Sequence, residues 1–209
     1  MLKKARIAVL VSGGGTNLQA LIDAQANGII QSGEICLVLS SKAGVYALER
    51  AKNAGIDGLV VSKKELGNQE AFEAQLLAYL KQYNIDLIVL AGFMSILSES
   101  FIKTYENRIL NVHPSLIPSF CGQGFYGLRV HEAALAYGVK VTGATVHYVN
   151  EIPDGGKIIL QKAVEILDGD TPEVLQKRVM EQAEWKILPA AVEMVSAELA
   201  QKGKLYERL

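Results

Sequence analysis

An amide and an imidazole stand two positions apart near the middle of the chain, where Asn111 and His113 precede Pro114. The apolar residues Ile109 and Leu110 before them indicate the end of a buried strand. Alternate side chains of a strand share a face, so Asn111 and His113 are expected to point the same way. Such a pair can polarise a carbonyl group and move a proton. A capped strand end with a hydrogen-bonded, structural histidine explains the same residues equally well.

A glycine-rich turn near the start of the chain, Ser12–Gly15, is a candidate anion site. It follows an apolar run over residues 6–11 and precedes Thr16 and Asn17, which are expected to cap a helix. Backbone N–H groups and the positive end of a helix together attract phosphate. Leu18 stands where a dinucleotide fingerprint needs its third glycine, so a single phosphate on a small metabolite fits better. A turn that needs glycine only for its backbone shape is the alternative.

Asp154 is a third candidate, although two glycines follow it and a simple turn explains all three residues. If it meets His113, its carboxylate raises the pKa of that histidine and keeps it ready to carry a proton near neutral pH. His147 lies in a β-rich run, where a lone histidine is more often structural than catalytic. The three histidines have no short spacing, so no zinc site is expected. Cys121 has no adjacent base and is a weak nucleophile candidate.

Strands and helices must position these residues, and in the first half of the chain they alternate regularly. The predicted strands cover residues 6–11, 35–39, 59–61 and 86–91. One predicted helix begins at residue 16, and two others cover residues 46–54 and 69–83. This alternation predicts an α/β fold with a Rossmann-like, mostly parallel twisted sheet flanked by helices.

The second half of the chain predicts an antiparallel part of the sheet, because two long β-rich runs, 140–149 and 157–167, are joined by a turn-rich segment. A loop over 119–127 and a helix over 130–137 precede them. Thr171 is expected to cap a last helix that runs to residue 200 and breaks near Pro189. No internal repeat or low-complexity linker is visible, so residues 1–209 are expected to form a single domain.

Composition limits the classes of function. Half of the 209 residues are hydrophobic and the net charge is −1, so nucleic-acid binding is not expected. The apolar runs are shorter than the roughly 20 residues that a membrane span needs. The start, Met1 to Arg6, leads directly into a strand pattern and predicts no signal peptide. Two cysteines in unrelated contexts favour a reducing, cytoplasmic location. The oligomeric state is not predictable.

Several motifs, taken in order, resemble the phosphoribosylglycinamide formyltransferases, the folate-dependent enzymes of purine biosynthesis. The resemblance extends from about Arg6 to Pro189. The motifs are Ser12-Gly13-Gly14-Gly15-Thr16-Asn17, Ala91-Gly92-Phe93-Met94, Asn111-Val112-His113-Pro114-Ser115-Leu116-Ile117-Pro118, Gly143-Ala144-Thr145-Val146-His147 and Asp154-Gly155-Gly156.

This resemblance implies transfer of a formyl group from 10-formyltetrahydrofolate to the amine of glycinamide ribonucleotide, without a metal. It implies a catalytic trio of Asn111, His113 and Asp154, in which Asp154 keeps His113 positively charged. The implied substrate contacts are Gly15, Thr16, Asn17 and Glu184. The implied folate contacts are Met94, Ser95, Ile96, Leu97, Asn111, Asn150, Glu151, Ile152, Pro153 and Asp154. The N-terminal half would hold the phosphate substrate and the C-terminal half the folate.

The chain departs from the family pattern at a few positions. Ser95 stands where the family often has arginine, and Gln69 where some members have a basic residue near the folate tail. Trp185 replaces a frequent histidine, and the loop over 120–127 is longer than usual. These departures concern the grip on the folate tail and leave the trio intact.

Three other functions use part of the same evidence. A formyltetrahydrofolate deformylase would give the formyl group to water. A methionyl-tRNA formyltransferase needs a basic surface, which the net charge of −1 does not favour. A non-catalytic phosphate-binding module would explain the glycine loop but would leave the trio without a role.

Overall fold

The computed structural model describes residues 4–206. Met1–Lys3, on which part of the signal-peptide prediction rests, and residues 207–209 lie outside the described residues. Within residues 4–206, no helix combines the length and hydrophobicity needed to cross a lipid bilayer.

A seven-stranded sheet in the order β3-β2-β1-β4-β5-β6-β7 forms the centre of the fold. Its strands are β1 (Ala5–Val11), β2 (Gly33–Ser40), β3 (Asp57–Val60), β4 (Leu87–Leu90), β5 (Ile109–His113), β6 (Val141–Tyr148) and β7 (Ile158–Glu165). The first five strands pair in parallel, and β6 pairs antiparallel with both β5 and β7. The predicted α/β class, with a parallel first half and an antiparallel C-terminal part, is confirmed.

Helices cover both faces of this sheet. They are α1 (Thr16–Ala26), α2 (Tyr46–Asn53), α3 (Lys63–Leu66), α4 (Gln69–Gln82), α5 (Glu99–Thr104), α6 (Leu128–Tyr137), α7 (Pro172–Val179) and α8 (Trp185–Tyr206), with a π-helical turn (Met180–Glu184) between the last two. The short helices α3 and α5 were not predicted, because four to six residues are too few to display an apolar period. Both instead have serine caps, Ser62 and Ser98.

The alternation of side chains along β1 divides the core into two layers. Ile7 and Val9 pack with α1, α2, α7 and α8 on one face, and Ala8 and Leu10 pack with α4 and α5 on the other. Both faces are therefore apolar, which explains the continuous hydrophobic run of this central strand. The predicted buried side of α4 is present as well, since Phe72 in that helix is fully buried.

The predicted break near Pro189 is wrong in its position. Pro189 lies inside α8, and the irregularity is the π-helical turn that ends at Glu184. The cap predicted for the start of this helical segment is confirmed, because the Thr171 side chain accepts a hydrogen bond from the N–H of Val174. The π turn fits one extra residue into the helix just before the proline, and such turns often occur at functional sites.

Candidate active site

Asn111 and His113 lie at the end of β5, as predicted, and the strand ends at His113 before Pro114. In the antiparallel pairing of β5 with β6, Asn111 is opposite His147 and His113 is opposite Thr145. His113 is buried, with only 4% of its surface exposed, whereas Asn111 is partly exposed. The amide therefore reaches the surface of the site and the imidazole forms its floor.

Asp154 reaches these residues from the loop between β6 and β7. Its Oδ2 atom lies 3.5 Å from Nδ1 of His113, and its Oδ1 atom lies 3.5 Å from Nε2 of His147. Oδ2 also accepts a hydrogen bond of 2.8 Å from the N–H of Gly122. The structure thus brings together the predicted trio from distant parts of the chain, and the carboxylate is held by backbone as well as by side chains.

His147 belongs to the same cluster, which the sequence did not indicate. Its Nδ1 atom donates to the carbonyl of Tyr148 over 2.8 Å. Its Nε2 atom lies 3.2 Å from the amide nitrogen of Asn111 and 3.5 Å from Oδ1 of Asp154. His147 therefore contacts both the Asn111 amide and the Asp154 carboxylate. Only the cross-strand register, which the sequence does not give, could have identified this pairing.

The environment of His113 has opposing effects on its pKa. Burial lowers the pKa most, and the Asp154 carboxylate and the hydrogen bond to the Phe120 carbonyl raise it, with a net result below the usual value. The expectation that Asp154 keeps His113 positively charged is therefore wrong for the ligand-free site. Because a carbonyl only accepts, the proton of the neutral ring is on Nε2, which lies 2.9 Å from the Phe120 oxygen. A second proton at Nδ1 would face Asp154.

Asp154 stays ionised in this cluster. Burial raises the pKa of its carboxyl group, but contacts with His147, His113 and the N–H of Gly122 outweigh burial and hold the pKa below the ordinary value. The site at rest thus contains one carboxylate beside two histidines. An imidazolium that forms during a reaction is stabilised by this charge.

The loop over residues 119–127 covers the trio through its backbone. The Phe120 carbonyl accepts from His113, and the N–H of Gly122 donates to Asp154. Cys121 lies between them, and burial, assisted by the charge of Asp154, raises the pKa of its thiol. The thiol therefore stays protonated at neutral pH, which disfavours a nucleophilic role.

The glycine loop forms a turn at the start of α1. The predicted cap by Thr16 and Asn17 is wrong, because Gly15 occupies the cap position with a left-handed φ of 74° and no side chain caps the helix. A Cβ atom at Gly15 would lie 2.7 Å from Cβ of Ala47, so the residue is required both by conformation and by packing. The first N–H groups of α1 consequently stay available for an anion.

Arg50 adds a positive charge behind this loop. Its Nε atom donates to the carbonyl of Gly14 over 2.9 Å, and its Nη1 atom donates to Oε1 of Gln19 over 2.9 Å. Sequence reasoning missed Arg50, because it lies on the next helix and reaches the loop only in the folded chain. It favours the anion-site interpretation over that of a simple turn.

Glu184 joins the glycine loop through the π-helical turn. Its Oε2 atom accepts a hydrogen bond of 2.6 Å from the side-chain nitrogen of Asn17. Burial raises the pKa of this carboxyl group to about 6, although the bond to Asn17 lowers it. The four predicted substrate contacts therefore cluster at the N-terminal end of α1, with Glu184 as a buried acid.

The loop after β4 carries the predicted folate residues. Met94, Ser95, Ile96 and Leu97 line a cavity of about 540 Å³, together with Lys63, Gln69 and Ser98. Met94 and Ile96 expose 54% and 81% of their surface, so an unpartnered apolar wall faces solvent. The N–H of Met94 donates to Oγ of Ser12 over 2.9 Å and ties this loop to the glycine loop.

The predicted folate contacts at Asn150, Glu151, Ile152 and Pro153 do not line the cavity beside Met94. They form the turn that carries Asp154, in which the side chain of Asn150 accepts from the N–H of Ile152 over 3.1 Å. The residues that line the cavity beside Met94 come from residues 63–98 instead. In the part of the chain that the structure describes, no group of three or more histidine, cysteine or acidic side chains is placed to hold a metal ion.

Comparison with known proteins agrees with this geometry. The family model described as formyl transferase matches residues 5–192. The human "Trifunctional purine biosynthetic protein adenosine-3" is 46% identical over 202 residues, which are 97% of this chain but 19% of the length of that relative. The phosphoribosylglycinamide formyltransferase of Haemophilus influenzae is 42% identical over 187 residues, which are 90% of this chain and 85% of that protein.

The fold is shared as well. The crystal structure of glycinamide ribonucleotide transformylase 1 from Symbiobacterium toebii has a TM-score of 0.87 and 42% sequence identity, covering 93% of this chain and 89% of that chain. The resemblance drawn from the motifs is therefore confirmed. A family model that covers most of the chain, together with these relatives, shows that the chain belongs to the formyl transferase family.

Proposed function

We propose that this chain transfers the formyl group of 10-formyltetrahydrofolate to the amine of glycinamide ribonucleotide, a step of de novo purine biosynthesis. The convergence of Asn111, His113 and Asp154 at the end of β5 supports this proposal most directly. The relatives named phosphoribosylglycinamide formyltransferase support it independently. In this proposal residues 1–209 act as a single cytoplasmic formyltransferase domain.

The ligands are assigned to the clusters described above. Gly15, Thr16 and Asn17 hold the phosphate of glycinamide ribonucleotide, and Glu184 contacts the same substrate. The folate lies against Met94, Ser95, Ile96 and Leu97, and the turn over residues 150–154 closes the other side. The bond between Met94 and Ser12 holds the two binding loops next to each other.

The reaction requires one bond to form and one to break at the formyl carbon. The substrate amine attacks this carbon, and a tetrahedral intermediate forms with negative charge on oxygen. The Asn111 amide and Nε2–H of His113 donate to that oxygen. The bond to N10 of the folate then breaks, N10 receives a proton through His113, and the former amine loses one. Protons are therefore conserved.

His113 must exchange one partner during this cycle. At rest its Nε2–H donates to the Phe120 carbonyl, and the formyl oxygen takes the place of that carbonyl when the substrates bind. A transient second proton on the ring lies toward Asp154, whose pKa is low enough to keep it charged. The positively charged state of His113 is thus confined to the time when negative charge develops nearby.

Formyl release from the folate, measured with and without glycinamide ribonucleotide, tests the proposed function. We expect release that depends on the ribonucleotide and yields a formylated product. Equal release without it would identify a deformylase, and no release under either condition would leave a binding module. Wild-type chain and the His113→Ala variant are assayed side by side, so that contaminating activity is recognised.

A further inference from the structure

A second cavity, of about 500 Å³, lies between α1 and α8, away from the trio. None of Asn111, His113 and Asp154 lines it, and neither does the loop after β4. On the α1 side its lining residues begin at Thr16 and end at Asn27. An α-helix of 11 residues is about 16 Å long, so this cavity can accept an extended ligand. One of its ends is the start of α1, where the proposed phosphate site lies.

The middle of this cavity has walls that suit a flat ring. Ala20 and Ala24 are one turn apart on α1, and their short side chains leave space above the helix. The half-buried Trp185 and the ring of Pro189 form the wall on the α8 side. Small apolar walls next to an aromatic side chain favour a planar group between them. The volume also lies within the roughly 300–1,000 Å³ that is typical of small-molecule sites.

Arg50, which also lines this cavity, has a charge that no acidic side chain balances. It donates to the carbonyl of Gly14 and to the side chain of Gln19, and its guanidinium lies 4.8 Å from the ring centre of Tyr46. All three partners are neutral, and none of the ion pairs within residues 4–206 involves Arg50. The guanidinium is therefore oriented beside the glycine loop with its charge available to a phosphate.

Asp23 places a hydrogen-bond acceptor further along the same wall. Its Oδ1 atom accepts from Nε2 of Gln19 over 2.8 Å, and no hydrogen bond within the described residues involves its Oδ2 atom. Seven residues separate it from Thr16, which is about 10 Å along the helix. A matching ligand is anionic at one end, has a flat ring and presents ring N–H groups at about that distance. A purine nucleotide has this order of groups, and its two fused rings fill more of the cavity than a pyrimidine would.

We propose that the cavity between α1 and α8 binds a purine nucleoside 5′-monophosphate, with its phosphate at the start of α1 and its base beside Trp185. The phosphate accepts from the N–H groups of Gly15 and Thr16, which the proposed function assigns to glycinamide ribonucleotide. The two ligands therefore exclude each other, and the nucleotide inhibits formyl transfer. This exclusion rests on the proposed function, whereas binding of the base does not.

The fluorescence of Trp185 reports on the base site, because the chain contains a single tryptophan. Guanosine 5′-monophosphate is titrated into the wild-type chain, with excitation at the red edge of the tryptophan absorption, where the nucleotide absorbs little. We expect saturable quenching of the fluorescence. Ribose 5-phosphate, which has no base, is expected to bind without quenching. Guanosine, which has no phosphate, is expected to bind about ten-fold more weakly than the nucleotide, because it loses the charge-assisted hydrogen bonds.

Ala20→Leu tests the position of the base, with Ala26→Leu as the matched control. Both residues belong to α1, but Ala20 lines the cavity, whereas Ala26 is exposed and does not. Leucine at position 20 occupies the space of the base, so we expect the Kd for guanosine 5′-monophosphate to rise about ten-fold. Calorimetry is expected to give an unchanged Kd for ribose 5-phosphate, which also shows that the variant is folded. Ala26→Leu is expected to change neither Kd by as much as about two-fold.

In the formyl-transfer assay, guanosine 5′-monophosphate is expected to raise the KM for glycinamide ribonucleotide without changing kcat, and to do so less in Ala20→Leu than in wild type. Absence of saturable quenching, or the same nucleotide affinity in wild type and Ala20→Leu, would overturn the inference. Inhibition that lowers kcat instead would overturn the shared phosphate position. Quenching needs no turnover, so a chain that binds the nucleotide but transfers no formyl group would disprove the proposed function and support the base site.

Discussion

The surroundings of His113 favour its neutral form, but they also place a carboxylate where a second proton on the ring would be stabilised. Burial lowers its pKa, and Oδ2 of Asp154 lies 3.5 Å from Nδ1. Asn111 lies 3.2 Å from Nε2 of His147, so this expected oxyanion donor is held in place before the substrate arrives. Such preorganisation is usually the largest single contribution to acyl transfer.

Removing either donor is expected to reduce turnover strongly. Asn111→Ala and His113→Ala should each lower kcat by about 100- to 1,000-fold, since each loses one contact to the developing negative charge. Steady-state kinetics with both substrates at saturation measures the effect, and Cys36→Ser on β2 is the control. Retention of kcat within about ten-fold of wild type would contradict the assigned roles.

Glu184 is predicted to reduce stability while contributing to binding. Burial raises its pKa to about 6, so at pH 7 the folded chain contains a charge that the unfolded chain holds more easily. Glu184→Gln is expected to stabilise the fold by about 1–2 kcal/mol at pH 7, with the gain disappearing as the pH falls toward 4.5. Urea denaturation at several pH values measures this.

The same variant is expected to raise the KM for glycinamide ribonucleotide, because the substrate loses a charged acceptor. The amide of the variant can still accept from Asn17, so the start of α1 keeps its hydrogen bond. A Glu184→Gln chain less stable than wild type at pH 7 would show that the buried carboxylate has a compensating partner.

Among elements, the glycine turn and the loop over 119–127 differ in what sequence could reveal. Consecutive glycines after an apolar strand indicated a turn with free N–H groups, and the structure has it. The helix cap was misassigned, because Thr16 and Asn17 are good capping residues and only the left-handed φ of Gly15 excludes them. The contacts of Phe120 and Gly122 with the trio depend on tertiary packing and carry no local signal.

Gly15 and Gly55 separate two costs of a side chain in a turn. Both have a left-handed φ, 74° and 69°, but only at Gly15 would a Cβ atom meet another atom, 2.7 Å away. Gly55→Ala is expected to destabilise the fold by about 1 kcal/mol, and Gly15→Ala by at least twice as much, with a higher KM for glycinamide ribonucleotide. Denaturation curves measured in parallel give both values, and equal losses would contradict the packing argument.

For the whole molecule, the sheet brings together residues that are far apart in the chain. The loops after the parallel strands β1 and β4 and the end of β5 supply one side of the site, and the antiparallel pair β6 and β7 supplies His147 and Asp154. Alternating patterns predicted this mixed topology correctly. The meeting of Asp154 with His113 came from family resemblance, because a turn such as Asp-Gly-Gly fits almost any loop.

His131 gives the stability of the whole fold a pH dependence of defined sign. The ring is fully buried, neither nitrogen has a hydrogen-bond partner within the described residues, and burial lowers its pKa to about 4. Between about pH 6.5 and pH 4 the unfolded chain binds a proton here that the folded chain does not. This residue is therefore expected to lower the free energy of unfolding by about 3 kcal/mol as the pH falls from 6.5 to 4.

The variant His131→Leu should remove most of this dependence. Chemical denaturation of both chains at pH 7, 5.5 and 4.5 gives the slope of the free energy of unfolding against pH for each chain. The difference between the two slopes is the contribution of His131, because the carboxylates contribute equally to both. Parallel slopes would indicate that the His131 ring finds a proton acceptor in the folded chain.

The π-helical turn has a consequence for the long C-terminal helical segment. One set of buried apolar side chains in this segment recurs at an interval of four, at Leu175, Val179, Ala183, Ile187, Ala191 and Val195, beside a second set at Leu188 and Val192. In a regular α-helix each such step advances about 40° beyond a full revolution, so the stripe would wind about 200° around the axis and turn away from the sheet. One extra residue in the turn reverses about 100° of that drift. The π-helical turn therefore keeps the buried sides of α7 and α8 on the same face of the sheet. The same turn positions the carboxylate of Glu184 beside the glycine loop.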